Sequence, residues 1–151
     1  MEKETEQELI KRMIGFQKEE ITSSIIYQKL AAKEKNPHNR EILQRIAEDE
    51  RRHYATLRGY THQDVSPNRF EICFYVWLVR LLGVTFAVRR LELGEKETSG
   101  VYSQYPSMEH FAEMARDEQH HEEKLIEMID EERLQYMGSV VLGLNDALVE
   151  F

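Results

Sequence analysis

The chain has 151 residues, enough for one domain with a single core. Its formal net charge of −8 argues against a nucleic-acid partner, because no basic groove can be built from it, and weakly favours the approach of cations. The single cysteine, Cys73, excludes an internal disulfide framework and any cysteine-based metal cluster, and it fits a reducing compartment.

Charged residues make up 32% of the chain and apolar residues 41%, with three prolines and seven glycines, a composition that suits a mostly helical protein. The N-terminal MEKETEQELIKRM has no apolar stretch of the kind a signal peptide needs. Four segments then show apolar or special residues at alternating three- and four-residue steps, the mark of an amphipathic helix. The first runs Leu9, Met13, Phe16, Glu20, Ser23, Tyr27, Leu30, and Pro37 ends it or starts the next. The second runs Leu43, Ile46, Glu50, His53, Leu57, Tyr60. Residues 61–83 form a link in which D-V-S-P-N leads into a short aromatic-rich helix. For Phe70, Phe74, Tyr75 and Trp77 core packing is expected first and a dimer contact second. The apolar run 70–88 is interrupted by Glu71 and Arg80, which speaks for a buried or interface helix rather than a membrane span. The third seam is Val88, Leu91, Glu95, Thr98, Tyr102, Tyr105; the fourth is Phe111, Met114, Glu118, His121, Leu125, Met128.

Seams of this kind build four-helix bundles. The expected fold is therefore all-α, a four-helix bundle with an extra short helix in the long crossover between bundle helices two and three. The chain also repeats itself. AEDERRHYATL at 47–57 and ARDEQHHEEKL at 115–125 share the skeleton A-x-D-E-x-x-H-x-x-x-L, and EITSSIIY at 20–27 matches EKETSGVY at 95–102. Two related hairpins are implied, the first longer by about two helical turns.

Each seam carries a glutamate where a leucine would be expected, and two carry a histidine three residues later, on the same helix face. The set is Glu20; Glu50 with His53; Glu95; and Glu118 with His121. One Glu from each of two helices plus Glu-x-x-His from each of the other two is the ligand set of a di-iron or di-manganese site in a bundle core. Two divalent ions bring four positive charges, four carboxylates neutralise them, and two neutral imidazoles complete the coordination. Glu50 and Glu118 are the natural bridging carboxylates, with Glu20 and Glu95 terminal. Without metal, such carboxylates would each cost several kcal/mol to bury or would have to bind protons. Tyr27 and Tyr102 lie two turns beyond Glu20 and Glu95. They either hydrogen-bond the ligand carboxylates or are core tyrosines. Glu92 is a candidate extra ligand or a solvated helix position. Asp49 and Asp117 either orient the histidines or are exposed. His120, aligned with Arg52, points away from the seam.

The pattern E-x6-Y and E-x-x-H, twice over, resembles the rubrerythrin branch of the ferritin-like superfamily across roughly residues 5–134. The resemblance implies a ferritin-like bundle with a non-haem centre of two Fe ions (Mn or Zn as substitutes) held by Glu20, Glu50, His53, Glu95, Glu118 and His121. With one cysteine, the chain lacks the four-cysteine iron site that rubrerythrins add, and with it internal electron delivery. Residues 131–151, above all G-L-N-D-A-L-V-E-F, resemble the entrance to the first membrane helix of the vacuolar iron transporter family, some members of which carry an N-terminal rubrerythrin-like domain. Implied are a bundle at 1–134 and the start of a transporter segment at 135–151, with Asn145, Asp146 and Glu150 belonging to the membrane part. The domain would be cytoplasmic, membrane-associated in the full-length protein and soluble as this fragment. The first functional reading is a domain that binds, oxidises, senses or relays Fe(II) for an attached iron or manganese transporter. The alternative is a stand-alone di-iron ferroxidase or peroxidase using O₂ or H₂O₂. The plainest is a helical dimerisation module with a structural metal. A homodimer is expected in each case.

Overall fold

The computed structural model describes residues 6–91 and 109–149; Glu92, Glu95 and Tyr102 lie outside them. Every element among the described residues is helical. Helix α1 spans Glu6–Ala31, α2 Pro37–Thr61, α3 Arg69–Leu82 and α5 Glu109–Val149, and residues 84–91 are helical as α4.

The boundaries follow from local chemistry. Asn36 caps α2: its side-chain oxygen accepts from the backbone N–H of His38 at 2.9 Å, and Pro37 takes the first helical position, where no N–H is needed. At the other end His62 adopts a left-handed conformation (φ 53°) and its N–H closes onto the Arg58 carbonyl. Asn68 caps α3 through the Glu71 N–H. Between α3 and α4 the turn needs a positive φ (86°), and Gly83 supplies it without a Cβ penalty.

Cross-helix bonds fix the directions. The Ser24 hydroxyl donates to the Ala47 carbonyl, while the Thr61 hydroxyl donates to the Gln17 amide oxygen, so α1 and α2 are antiparallel. Helix α5 runs antiparallel to α2, since Asp49 meets His121 and Asn39 meets Glu132. Thr85 at the start of α4 bonds Glu132, far from the end of α2 at Thr61. The chain must therefore travel back along the bundle between α2 and α4. Helix α3, about 21 Å long by its residue count, makes that journey against α1. The Asn68 N–H donating to the Thr22 hydroxyl anchors its start. This is the all-α bundle that the seams imply, in the ferritin-like form that the resemblance implies.

Two apolar clusters hold the helices. One contains Ile26, Tyr27, Leu30, Leu43, Ile46, Tyr75, Val88, Leu91, Leu125 and Met128; the other contains Met13, Leu57, Phe111 and Met114. Between these lies a polar layer of Glu20, Glu50, His53, Glu118 and His121. The seams of α2 and α5 coincide with the buried faces. That of α1 is buried most deeply at Gln17 and Ser24, with Phe16 and Ser23 half-buried beside them, both amide and hydroxyl being satisfied by bonds to α2 and its flank.

The aromatic residues of α3 correct an expectation. Tyr75 is buried at 5% exposure, but Phe70, Phe74 and Trp77 are 90%, 46% and 58% exposed. Among the described residues, helix α3 packs on α1 along one side. Tyr75 and Leu78 face inward with Ile72 and Val79, and at 100° per residue Phe70, Phe74, Trp77 and Leu81 fall together on the far face. Helix α5 likewise continues without a break past the bundle, exposing Leu134, Tyr136, Met137, Val140, Val141 and Leu142.

Leu43→Ala, at a site with no exposure, is expected to lower the unfolding free energy by about 3 kcal/mol. Phe70→Ala is expected to change it by less than about 0.5 kcal/mol. Urea denaturation of the two variants checks both.

Candidate metal centre

Helix periodicity delivers the site. Glu50 and His53 on α2, and Glu118 and His121 on α5, each stand one turn apart on one face, so two antiparallel helices present the pairs to each other. Glu20 enters from α1. The structure brings Glu20, Glu50, His53 and Glu118 together: each offers a ligand atom, all within 4.8 Å of one another. His121 stands across from His53, ring centroids 6.2 Å apart and planes 30° from parallel, with its Nδ1 3.2 Å from Glu50 Oε1. Glu20, Glu50, His53 and His121 are each no more than 3% exposed. Tyr27 is fully buried in the core cluster two turns along α1 from Glu20. His120 is exposed, as its place off the seam implies.

The orientation of the two imidazoles is the chemically informative feature. His53 Nε2 lies 3.1 Å from Asp117 Oδ2, and His121 Nε2 lies 3.0 Å from Asp49 Oδ2. An aspartate accepts, so each Nε2 donates, and in the neutral ring that a metal needs each Nδ1 presents its lone pair inward. His53 Nδ1 is 3.4 Å from both Glu20 Oε2 and Glu118 Oε1. Neither buried Nδ1 makes a hydrogen bond among the described residues, although both lie against carboxylate oxygens. Imidazole lone pairs and carboxylates converging on a shared dry space, with each ring held from behind by a carboxylate, are what a divalent cation requires. The donor set is oxygen and nitrogen only, which suits iron or manganese and accepts zinc.

The electrostatics agree. Burial disfavours a charged His53, but the carboxylates of Glu118, Glu20 and Asp117 outweigh it and push its pKa up to about 10. Without a cation in the layer, a proton on His53 is the counter-charge. Burial also works against the Asp49 carboxylate, yet bonds to His121 and Arg52 hold it below its ordinary value.

Sequence reasoning left the role of Asp49 and Asp117 open, and it could not foresee the crossing. Asp49 and His53 are four apart on one helix, the local pairing that periodicity suggests. Each histidine instead bonds the aspartate of the other helix. Arg52, which the repeat aligns with the exposed His120, was missed as part of the site: it bonds both aspartates.

His53 links stability to pH. Its folded pKa lies above the unfolded value, so its contribution is complete below about pH 6.5 and is lost as pH rises through about 10. The metal-free protein is expected to lose roughly 5 °C or more in Tm across that window, and His53→Gln to flatten the slope. Thermal melts in chelator at stepped pH check this. Metal affinity should rise over the same interval, because the cation displaces the His53 proton.

Comparison with known proteins bears on the first hairpin. Residues 1–60 match the Rubrerythrin family profile, a stretch that contains Glu20, Glu50 and His53. No curated protein and no solved structure matches the chain. The α1–α2 hairpin, through residue 60, is thus the part of the chain that is similar to a rubrerythrin domain.

Proposed function

We propose that the protein binds a pair of divalent metal ions, iron by preference, in the polar layer of the bundle, and oxidises, senses or relays Fe(II) for an attached metal transporter. The observation that carries the metal reading is the inward pair of Nδ1 lone pairs facing buried carboxylates, on a hairpin of rubrerythrin type. In this reading His53 and His121 each donate Nδ1 to one ion. Glu50, Glu118 and Glu20 would supply carboxylates to the ions, with Glu95 as a fourth and Glu92 as a candidate fifth. Tyr27 and Tyr102 steady the terminal carboxylates by hydrogen bonds. Bound as Fe(II), the pair supplies two electrons to O₂ or H₂O₂. The protein's part is to keep water out with the two apolar clusters, to neutralise the charge and to hold both rings in one tautomer.

The transporter connection rests on residues 135–151. Residues 134–145 carry no charged side chain, and the exposed part of α5 presents apolar side chains from Leu134 to Leu142. At the foot of this extension the exposed Lys29, Lys33, Lys35 and Arg80 line a cleft of about 1060 Å³ with Tyr136 and Ser139. Cations beside an emerging apolar helix suit the headgroup side of a membrane. No helix among the described residues is itself long and apolar enough to cross one. A homodimer belongs to the same reading, and the exposed stripe Phe70, Phe74, Trp77, Leu81 supports it.

An anaerobic Fe(II) titration, followed by exposure to air and to peroxide, tests the proposal. Saturation near two irons per chain is expected. Rapid development of a ferric absorption band then favours ferroxidase or peroxidase chemistry; stable Fe(II) favours a sensor or relay. Glu50→Ala and Glu118→Ala are each expected to abolish paired binding, and His120→Ala to leave it intact. Normal binding of two metals by Glu50→Ala would overturn the ligand assignment.

A further inference from the structure

We infer that Arg52 is a positioning residue that couples the two histidines of the site, an inference that rests on the metal reading above. The geometry is continuous. Arg52 Nη1 donates to Asp49 Oδ1 at 2.6 Å, and Asp49 Oδ2 holds His121 Nε2 at 3.0 Å. Arg52 Nη2 donates to Asp117 Oδ2 at 3.0 Å, and the same oxygen holds His53 Nε2 at 3.1 Å. One guanidinium thus closes a chain from imidazole to imidazole around the outside of the site, through His121, Asp49, Arg52, Asp117 and His53.

The chain also joins the helices. The bond to Asp49 lies within α2, three residues back, and the bond to Asp117 crosses to α5. Arg52 therefore staples the two helices that carry the Glu-x-x-His pairs, at the level of those pairs. Its charge offsets one of the two aspartates on the rim, so the outer carboxylates do not repel each other across the gap. The side chain is 55% exposed and the aspartates 26% and 28%, which makes this a water-facing edge of the site.

The repeat makes the arrangement specific. Both halves carry the Asp, the Glu and the His, but the position of Arg52 is taken by His120 in the second half. One staple serves a nearly two-fold ligand set. Lysine cannot replace it: a planar fork reaches two carboxylates from two nitrogens, whereas an ammonium is a single point of charge.

The test uses the whole chain as wild type, Arg52→Lys and Arg52→Gln, each alone and with Asp49→Asn. The probes are Co(II) binding, followed by its visible absorption, and exchange of the two imidazole Nε2–H protons in the metal-free protein, followed by NMR. Arg52→Lys and Arg52→Gln are expected to keep the circular dichroism of wild type and to weaken Co(II) binding about ten-fold. In the wild-type background, Asp49→Asn should speed exchange at His53 as well as at His121, because the staple loses one anchor. In the Arg52→Gln background Asp49→Asn should affect His121 alone. An exchange rate at His53 that ignores Asp49→Asn in the wild-type background, or that responds equally without Arg52, would overturn the coupling, as would full Co(II) affinity in Arg52→Lys. If wild type takes up no stoichiometric Co(II), the metal reading falls, and the exchange cross-effect still decides the role of Arg52.

Discussion

Three carboxylates and two imidazoles sit in one layer of a helical core, and the rest of the molecule is arranged around keeping them there. Charge of this density is expensive in a dry interior unless each group is paired. Above the layer lie Tyr27, Leu43, Leu125 and Met128, and below it Met13, Leu57, Phe111 and Met114. The clusters supply the burial energy and exclude water, which strengthens every interaction in the layer between them. Each polar group then has one inward and one outward duty. The imidazoles face carboxylates with Nδ1 and are tied at Nε2; the aspartates that tie them reach solvent and share one arginine. Charge is thereby handed outward in steps from a buried centre to a wet rim.

The crossover is the second constraint. Helices α2 and α4 leave and re-enter the bundle at opposite ends, so no short loop can join them, and α3 carries the chain back along α1. A helix laid along the outside of a bundle buries the face turned to it, and among the described residues α3 is laid along α1. That is why Tyr75 and Leu78 join the core while Phe70, Phe74 and Trp77 remain on the surface. The same logic applies to α5, whose bundle partners end near Glu132 while its own hydrogen-bond ladder continues to Val149. Past that point Tyr136 and Ser139 still line a cleft with α1 and α3, and the apolar side chains from Met137 to Leu142 are exposed.

Much of this was legible before any coordinates. Heptad spacing marked the described helices because apolar burial demands a stripe, and Pro37 sits where a helix start needs its backbone chemistry. The repeated Glu-x-x-His identified Glu50, His53, Glu118 and His121 because two residues one turn apart must share a face. What escaped was everything that depends on which helix stands beside which. Periodicity suggests that Asp49 serves His53 on its own helix; packing gives it to His121 instead. The second anchor of Arg52, on α5, has no sequence-local signal at all, since its partner lies 65 residues away. Hydrophobicity alone marked the α3 aromatics for the core, and only the number of neighbouring helices decided otherwise. Composition and spacing determined the helices, the candidate ligand residues and the faces they share, because those follow from the period of one helix. Tertiary structure decided tautomer, partner and exposure, because each of those is set by a second helix whose position no single segment encodes.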